Sequence, residues 1–147
     1  MGTIFGHPFY SARYAPGMEL TLPFEEQPFA CLIQAEVHVG DDAFRSMAGA
    51  LLERQMRFAL CCGLECERLS DLINDLLEDG AFHQDGRTAV CTAHEDEPVA
   101  DVMEYFALPS GVAPTNLLLT LGGQAAFEQS YHTFSQVAER MRRALTV

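Results

Sequence analysis

The residues best suited to chemistry in this chain stand together in "CTAHEDEP", residues 91 to 98, where one histidine is followed by three consecutive carboxylates and a proline. An imidazole beside a carboxylate is the elementary unit of acid–base catalysis, because the carboxylate fixes the tautomer while the ring exchanges protons near neutral pH. His94 with Glu95 is therefore the candidate catalytic pair. Asp96, with Glu36 earlier in the chain, offers the hard oxygen donors that a divalent cation takes. Those two are the candidate metal ligands, and the chemistry that they and His94 would support is metal-assisted hydrolysis. The same stretch has a plainer reading as a helix start. Acids in a first turn complement the positive end of the helix dipole, with Asp96 as N-cap and Pro98 in the first turn.

Sulfur and glycine mark two further candidates. "CCGLEC" offers Cys62 and Cys66 as ligand-binding thiols, with His38 and His94 able to complete a set. Structural zinc more often uses a two-residue spacer and a second paired set, which this chain lacks. Cys66 would begin a helix, a position that acidifies a thiol, but Glu65 and Glu67 flank it and oppose that shift. In "TLGGQ", Thr120, Gly122 and Gly123 resemble a backbone anion nest at a helix start, although nearby acids oppose a phosphate there unless a divalent cation intervenes. No lysine occurs anywhere, which excludes Schiff-base chemistry and a phosphate-loop lysine.

These groups need elements to position them. After an opening punctuated by Pro8, Pro16, Gly17, Pro23 and Pro28, short apolar runs alternate with helical periodicity. "FACLIQAEV" reads as a buried strand, and a helix from about Asp41, capped by Asp41 or Asp42, carries Phe44, Met47, Ala48, Leu51 and Leu52 on one face. "RFALCC" is a second strand, followed by a helix bearing Leu69, Leu72, Ile73, Leu76 and Leu77 that stops at Gly80. "TAVCTA" is the third, with Val99, Val102, Met103 and Phe106 at helical spacing after it. "NLLLTL" is the fourth, and a long final helix bears Phe127, Tyr131, Phe134, Ala138, Met141 and Leu145.

Strands that are apolar throughout and separated by helices predict a mostly parallel sheet covered on both faces. The expected fold is one α/β domain over residues 1–147, three-layer α/β/α and Rossmann-like, around a four-stranded sheet in the order 2-1-3-4. Residues 1–28 are expected to form an irregular segment packing on the sheet edge. In that order the first and last helices cover one face and the second and third the other. Ligands of open α/β sheets bind at the carboxyl ends of strands, beside the topological switch point. The four strands would deliver there Glu36 and His38, then Cys62, then His94 to Glu97, then Thr120 with Gly122 and Gly123.

Charge sharpens the functional classes. The formal net charge is −12, and residues 65–104 carry twelve acids against two arginines. Nucleic-acid binding draws most of its affinity from basic residues, so direct DNA or RNA binding is not expected. The middle segment predicts a single acidic face. No apolar run is long enough to span a membrane. The five cysteines are an odd number, and Cys31, Cys61 and Cys91 lie in strand-like runs as small buried thiols, which fits a reducing cytoplasm.

Residues from about Gln55 to Ala107 also resemble part of a family of small bacterial proteins of unknown function. In that family a strand ending in Trp-Gly is followed shortly by cysteine, and a later strand runs into Thr-Trp-His-Glu-Asp-Glu-Pro. Gly63, Cys66, Thr92 and His94 to Pro98 match, whereas Cys62 and Ala93 stand where the family has tryptophan. The resemblance implies no activity. It points to His94 and its acids as the place to look.

The expected function is a non-catalytic cytoplasmic α/β domain that binds a protein partner or small ligand, through an acidic face or through the polar rim of the sheet. The alternative is the metal-assisted hydrolase, with His94 as acid or base and a divalent cation on Glu36 and Asp96.

Overall fold

The computed structural model describes residues 2–4, 7–25, 27–78, 89–107 and 115–145. The apolar runs become the sheet: β3 (Phe29–Ala35) and β6 (Thr115–Leu121) are buried at every position, and β4 (Met56–Gly63) nearly so. Strands buried on both faces must be central. The edges are β1 (Gly2–Ile4) with β2 (His7–Tyr14) on one side and β5 (Val90–Ala93) on the other. The helices α1 (Asp41–Glu53), α2 (Cys66–Glu78), α3 (Val99–Ala107) and α4 (Gln124–Leu145) fall between or after the strands.

The sheet order is β1-β2-β6-β3-β4-β5, with β1 antiparallel to β2 and every other pairing parallel. The protein is thus an α/β fold around a mostly parallel sheet, as expected, but with six strands among the described residues in place of four. The expected order 2-1-3-4 is corrected. β4 lies between β3 and β5, and β6 lies on the other side of β3. Strands that are apolar on both faces fit next to one another in any order, so the pattern held no preference.

The residues expected as an irregular opening segment also form β1 and β2. "HPFYSARY" hides its strand character because Pro8 interrupts it and Ser11 and Arg13 occupy one face. Pro8 is tolerated because it pairs only with the outermost strand, where Thr3 is its partner.

Right-handed crossovers and this order decide the layers. Two steps in one direction, from β3 to β4 to β5, place α1 and α2 together on one face. The return to β6 sends α3 to the opposite face, where α4 joins it. Two cores follow. Phe44, Met47, Ala48, Leu51 and Leu52 of α1 and Leu69, Leu72, Ile73 and Leu77 of α2 pack on Cys31, Ile33, Cys61 and Leu119. Val102, Met103 and Phe106 of α3 and Phe134, Ala138 and Met141 of α4 pack on Leu32, Leu60 and Leu118.

Phe134 is fully buried and sits edge-on to Phe9 at 4.8 Å between ring centroids, with Phe106 at 5.9 Å. Burial of such a side chain contributes about 1.5–3 kcal/mol. Leu145, expected on this face, has its side chain outside the described residues, as does the expected stop at Gly80.

This layering corrects the single acidic face. The acid-rich segment is divided, with α2 on one layer and α3 on the other. A contrast survives: α1 and α2 carry seven acids against two arginines, and α3 and α4 carry four against three.

Two expected caps are also replaced. Gly40 is the N-cap of α1, and Asp41 and Asp42 lie inside the first turn. At α3, Pro98 O accepts the first helical bonds from Asp101 and Val102, and Asp96 instead occupies a turn at φ 61°.

Candidate functional site

The switch point lies between β6 and β3, because the chain leaves β3 toward α1 on one face and leaves β6 toward α4 on the other. Side chains alternate along a strand, so Gln34 and Thr120 share the α3/α4 face with Leu32 and Leu118. They are also register partners, Gln34 on β3 opposite Thr120 on β6. Arg13 extends the row on β2 and Cys62 on β4. His94 follows on the strand after β4, where its N–H continues the ladder to Cys61 O at 2.9 Å. Polar groups from all five parallel strands therefore line one end of one face.

The centre of this row is unsatisfied. Gln34 is 6% exposed and Thr120 0%, yet Gln34 Oε1 and Thr120 Oγ1 have no hydrogen-bond partner among the described residues. A buried polar atom without a partner costs about 1–3 kcal/mol. Gln34 Nε2 donates to Glu36 Oε1 at 2.7 Å, and a carboxylate accepts only, so this bond fixes the amide with Oε1 turned away from Glu36. Gly122 stands above the pair. A Cβ there would lie 3.3 Å from Ala126 Cβ and 3.4 Å from Glu36 Cβ, so α4 begins in close contact with the rim. Arg13 closes the β2 side with an Nη1 bond to Gly122 O at 3.2 Å.

The motif around His94 forms a second constellation at the β5 end. Glu97, not the expected Glu95, bonds His94 Nδ1 at 2.8 Å, and Thr92 Oγ1 lies 2.8 Å from Nε2. In the neutral imidazole the carboxylate places the proton on Nδ1, so Nε2 accepts from the Thr92 hydroxyl. The ring's side chain is 14% exposed and lies 6.2 Å from Tyr105 of α3. Glu95 turns away, and Glu67 against it raises its pKa.

Among the described residues, no three His, Cys, Asp or Glu side chains are grouped so as to hold a metal ion. The expected Glu36–Asp96 pairing depended on the third strand lying beside the first. With β4 interposed, their strands stand about 9–10 Å apart.

His38 belongs to neither constellation. It is 64% exposed and bonds Glu65 at 2.9 Å. Arg68 Nε donates to Glu65 at 2.6 Å, its Nη1 pairs with Asp41, and its Nη2 donates to Val39 O at 2.6 Å. This network ties the turn before α1 to the turn before α2 on the acidic side. His38 and Arg68 hold the Glu65 carboxyl below its ordinary pKa.

Neither candidate thiol, Cys62 or Cys66, is poised as a nucleophile. Burial first, then neighbouring Cys66, Glu36 and Glu97, push Cys62 up to about 12. Burial likewise raises Cys66, with Glu95 and Glu67 adding to it. All five cysteines are free. Gly63, between those thiols, has a structural reason to be glycine: its φ is 86° and a Cβ would collide with the Ala35 carbonyl. Gly123 is exposed with open space around it and accepts the first bond of α4 from Phe127.

Gln34, Arg13 and Thr92 were not expected as site-forming groups, and Glu97 was expected on the rim but not as the partner of His94. Two of them left a signal. Gln34 is a lone amide in a strand otherwise apolar through Ala35, and Thr92 stands two residues before His94, on the same strand face.

No curated protein and no solved structure matches this chain. A family model, the domain of unknown function DUF7684, matches residues 9–120, a span that runs from within β2 to within β6 and includes the whole polar row from Arg13 to Thr120. The chain belongs to the DUF7684 family.

Proposed function

We propose that this protein binds a small polar ligand at the carboxyl end of its sheet, on the α3/α4 side. One observation carries the reading: two deeply buried polar atoms on register-paired residues, Gln34 Oε1 and Thr120 Oγ1, lack partners among the described residues at the switch point. Buried polar groups are ordinarily paired; among the described residues the one further unpartnered buried side-chain atom is Arg57 Nε near the start of β4, and open sheets bind ligands at the carboxyl ends of their strands, where Gln34 and Thr120 lie. Five free thiols suit a reducing, cytoplasmic setting. A protein partner recruited by charge would meet the α1/α2 layer instead. The test is a thermal-shift screen of small metabolites on the protein and on Thr120→Val. A ligand that raises the melting temperature of the first and not of the folded variant supports the rim. Ligands that stabilise both equally would place binding elsewhere.

A second reading is favoured by the Thr92–His94–Glu97 geometry. A hydroxyl, an imidazole and an orienting carboxylate in hydrogen-bond sequence form the arrangement of an activated nucleophile. Thr92 Oγ would attack an acyl carbonyl as His94 Nε2 takes its proton, and His94 would return that proton to the leaving group. Hydrolysis of an activated ester, lost in both Thr92→Val and His94→Gln, is the expected result for an enzyme. Equal rates in all three proteins would remove this reading.

A further inference from the structure

We propose that the acceptors at the β6–β3 switch point bind the ammonium group of a small primary amine. This rests on the rim reading above and names the chemistry of its ligand. Two acceptors and a neighbouring carboxylate are found there among the described residues. Gln34 Oε1 and Thr120 Oγ1 are unpartnered on side chains more than nine-tenths buried, and Glu36 lies beside them with one oxygen engaged by Gln34 Nε2. The Glu36 bond leaves Gln34 to present an acceptor, and Thr120 can accept through its lone pairs. An alkylammonium carries three N–H donors and no acceptor, which is the complement of this set.

Charge selects in the same direction. Glu36 and Glu97 both lie close enough to Cys62 of this row to act on its thiol. Of the nearby cations, Arg68 is taken up by Asp41, Glu65 and Val39 O, and Arg13, the register partner of Thr120 on β2, directs Nη1 to Gly122 O and keeps its charge on the β2 side of the row, so the ammonium must enter from the Glu36 side. A carboxylate or phosphate would meet Glu36 directly. The Cys62 thiol, beside Gln34 in register, stays protonated and adds no competing charge.

Size is limited as well. Thr120 has no solvent exposure, and the start of α4 closes over Gly122 and Glu36. The group that reaches these oxygens must be slender, as an ammonium on an unbranched carbon is.

The experiment is an NMR titration of the full chain with methylammonium chloride and longer primary alkylammonium chlorides. Potassium chloride, acetamide and sodium acetate serve as comparison probes at constant ionic strength. The expected result is saturable movement of the Gln34, Thr120 and Gly122 amides with the alkylammonium salts. Glu36→Gln should weaken it by about tenfold or more, as loss of a charge-assisted bond predicts. Thr120→Val should weaken it too, with the spectra of both variants showing the native dispersion.

Equal response to potassium, acetamide or acetate, lost in Thr120→Val, would overturn the amine and leave the rim as a binding site. If no probe moves these amides and a bound water alone is seen to bridge Gln34 Oε1 and Thr120 Oγ1, both the amine and the rim reading fall.

Discussion

Two polar constellations sit at the same end of this sheet and differ in one respect. On the α1/α2 side, His38, Glu65, Arg68 and Asp41 are mutually bonded, and Arg68 reaches a backbone carbonyl as well. On the α3/α4 side, Gln34 and Thr120 are more deeply buried, and Gln34 Oε1 and Thr120 Oγ1 have no partners among the described residues. The first arrangement consumes its own hydrogen-bonding capacity and ties two turns together. The second keeps its capacity at a place where satisfying it would stabilise the fold. A polar cluster at a rim is thus read by what it leaves unmade, not by how many charges it collects.

Gly63 joins the two regions, following Cys62 of the open row and preceding Glu65 of the closed network. Its left-handed φ and the Ala35 carbonyl against it leave no place for a side chain. Gly63→Ala should cost about 3 kcal/mol, at the upper end of local backbone strain, as read by urea unfolding. A loss below about 1 kcal/mol would mean that the two turns are not held in this register.

The comparison is sharpest in a pair of substitutions with opposite signs. Thr120→Val keeps shape and removes an unpartnered hydroxyl, so the ligand-free protein should gain about 1–3 kcal/mol. Arg68→Ala breaks three bonds at a side chain 29% exposed, and should lose about 1–2 kcal/mol after solvent screening. Chemical denaturation of both variants reads the two signs directly. A loss on Thr120→Val as large as that on Arg68→Ala would make the open row structural.

The smallest effects are electrostatic and also opposite. Glu65 has its pKa lowered from 4.5, so its network contributes stability above that ordinary value and loses it as pH falls through the depressed folded value. Glu65→Gln should therefore lower the melting temperature at pH 7 and make no difference in strong acid. Glu95 has its pKa raised from 4.5 by Glu67, so ionising it costs the fold stability as pH rises through the raised value. Glu95→Gln should raise the melting temperature slightly at pH 7, with the gain vanishing at acid pH. Melting curves across that range, showing the same sign for both variants, would contradict the contrast.

Local patterns carried much of the fold. The stripe Phe44, Met47, Ala48, Leu51 and Leu52 is the buried face of α1, because helical spacing and apolar character act together over three turns. The same holds for Val102, Met103 and Phe106 against Phe134. β2 escaped notice since Pro8, Ser11 and Arg13 break the alternation, and its strand character comes from pairing with β6.

At the site, His94 with its acids was visible as a cluster, but its partners were not. A turn at Asp96 with φ 61° rotates the chain so that Glu97, not Glu95, meets the imidazole. Gln34 and Thr120 lie 86 residues apart in sequence, and only the parallel pairing of β3 with β6 makes them neighbours.

The sequence by itself determined the elements that have a period to show: four amphipathic helices, four apolar strands, and a mostly parallel sheet between them. Side-chain spacing and burial are local quantities, which residues within one segment already express. The tertiary structure alone decided the order of the strands, the division of the acid-rich segment between two layers, and the pair of acceptors at the switch point. Strands that are apolar on both faces are interchangeable as neighbours, so their order follows from chain connectivity and packing across the whole sheet.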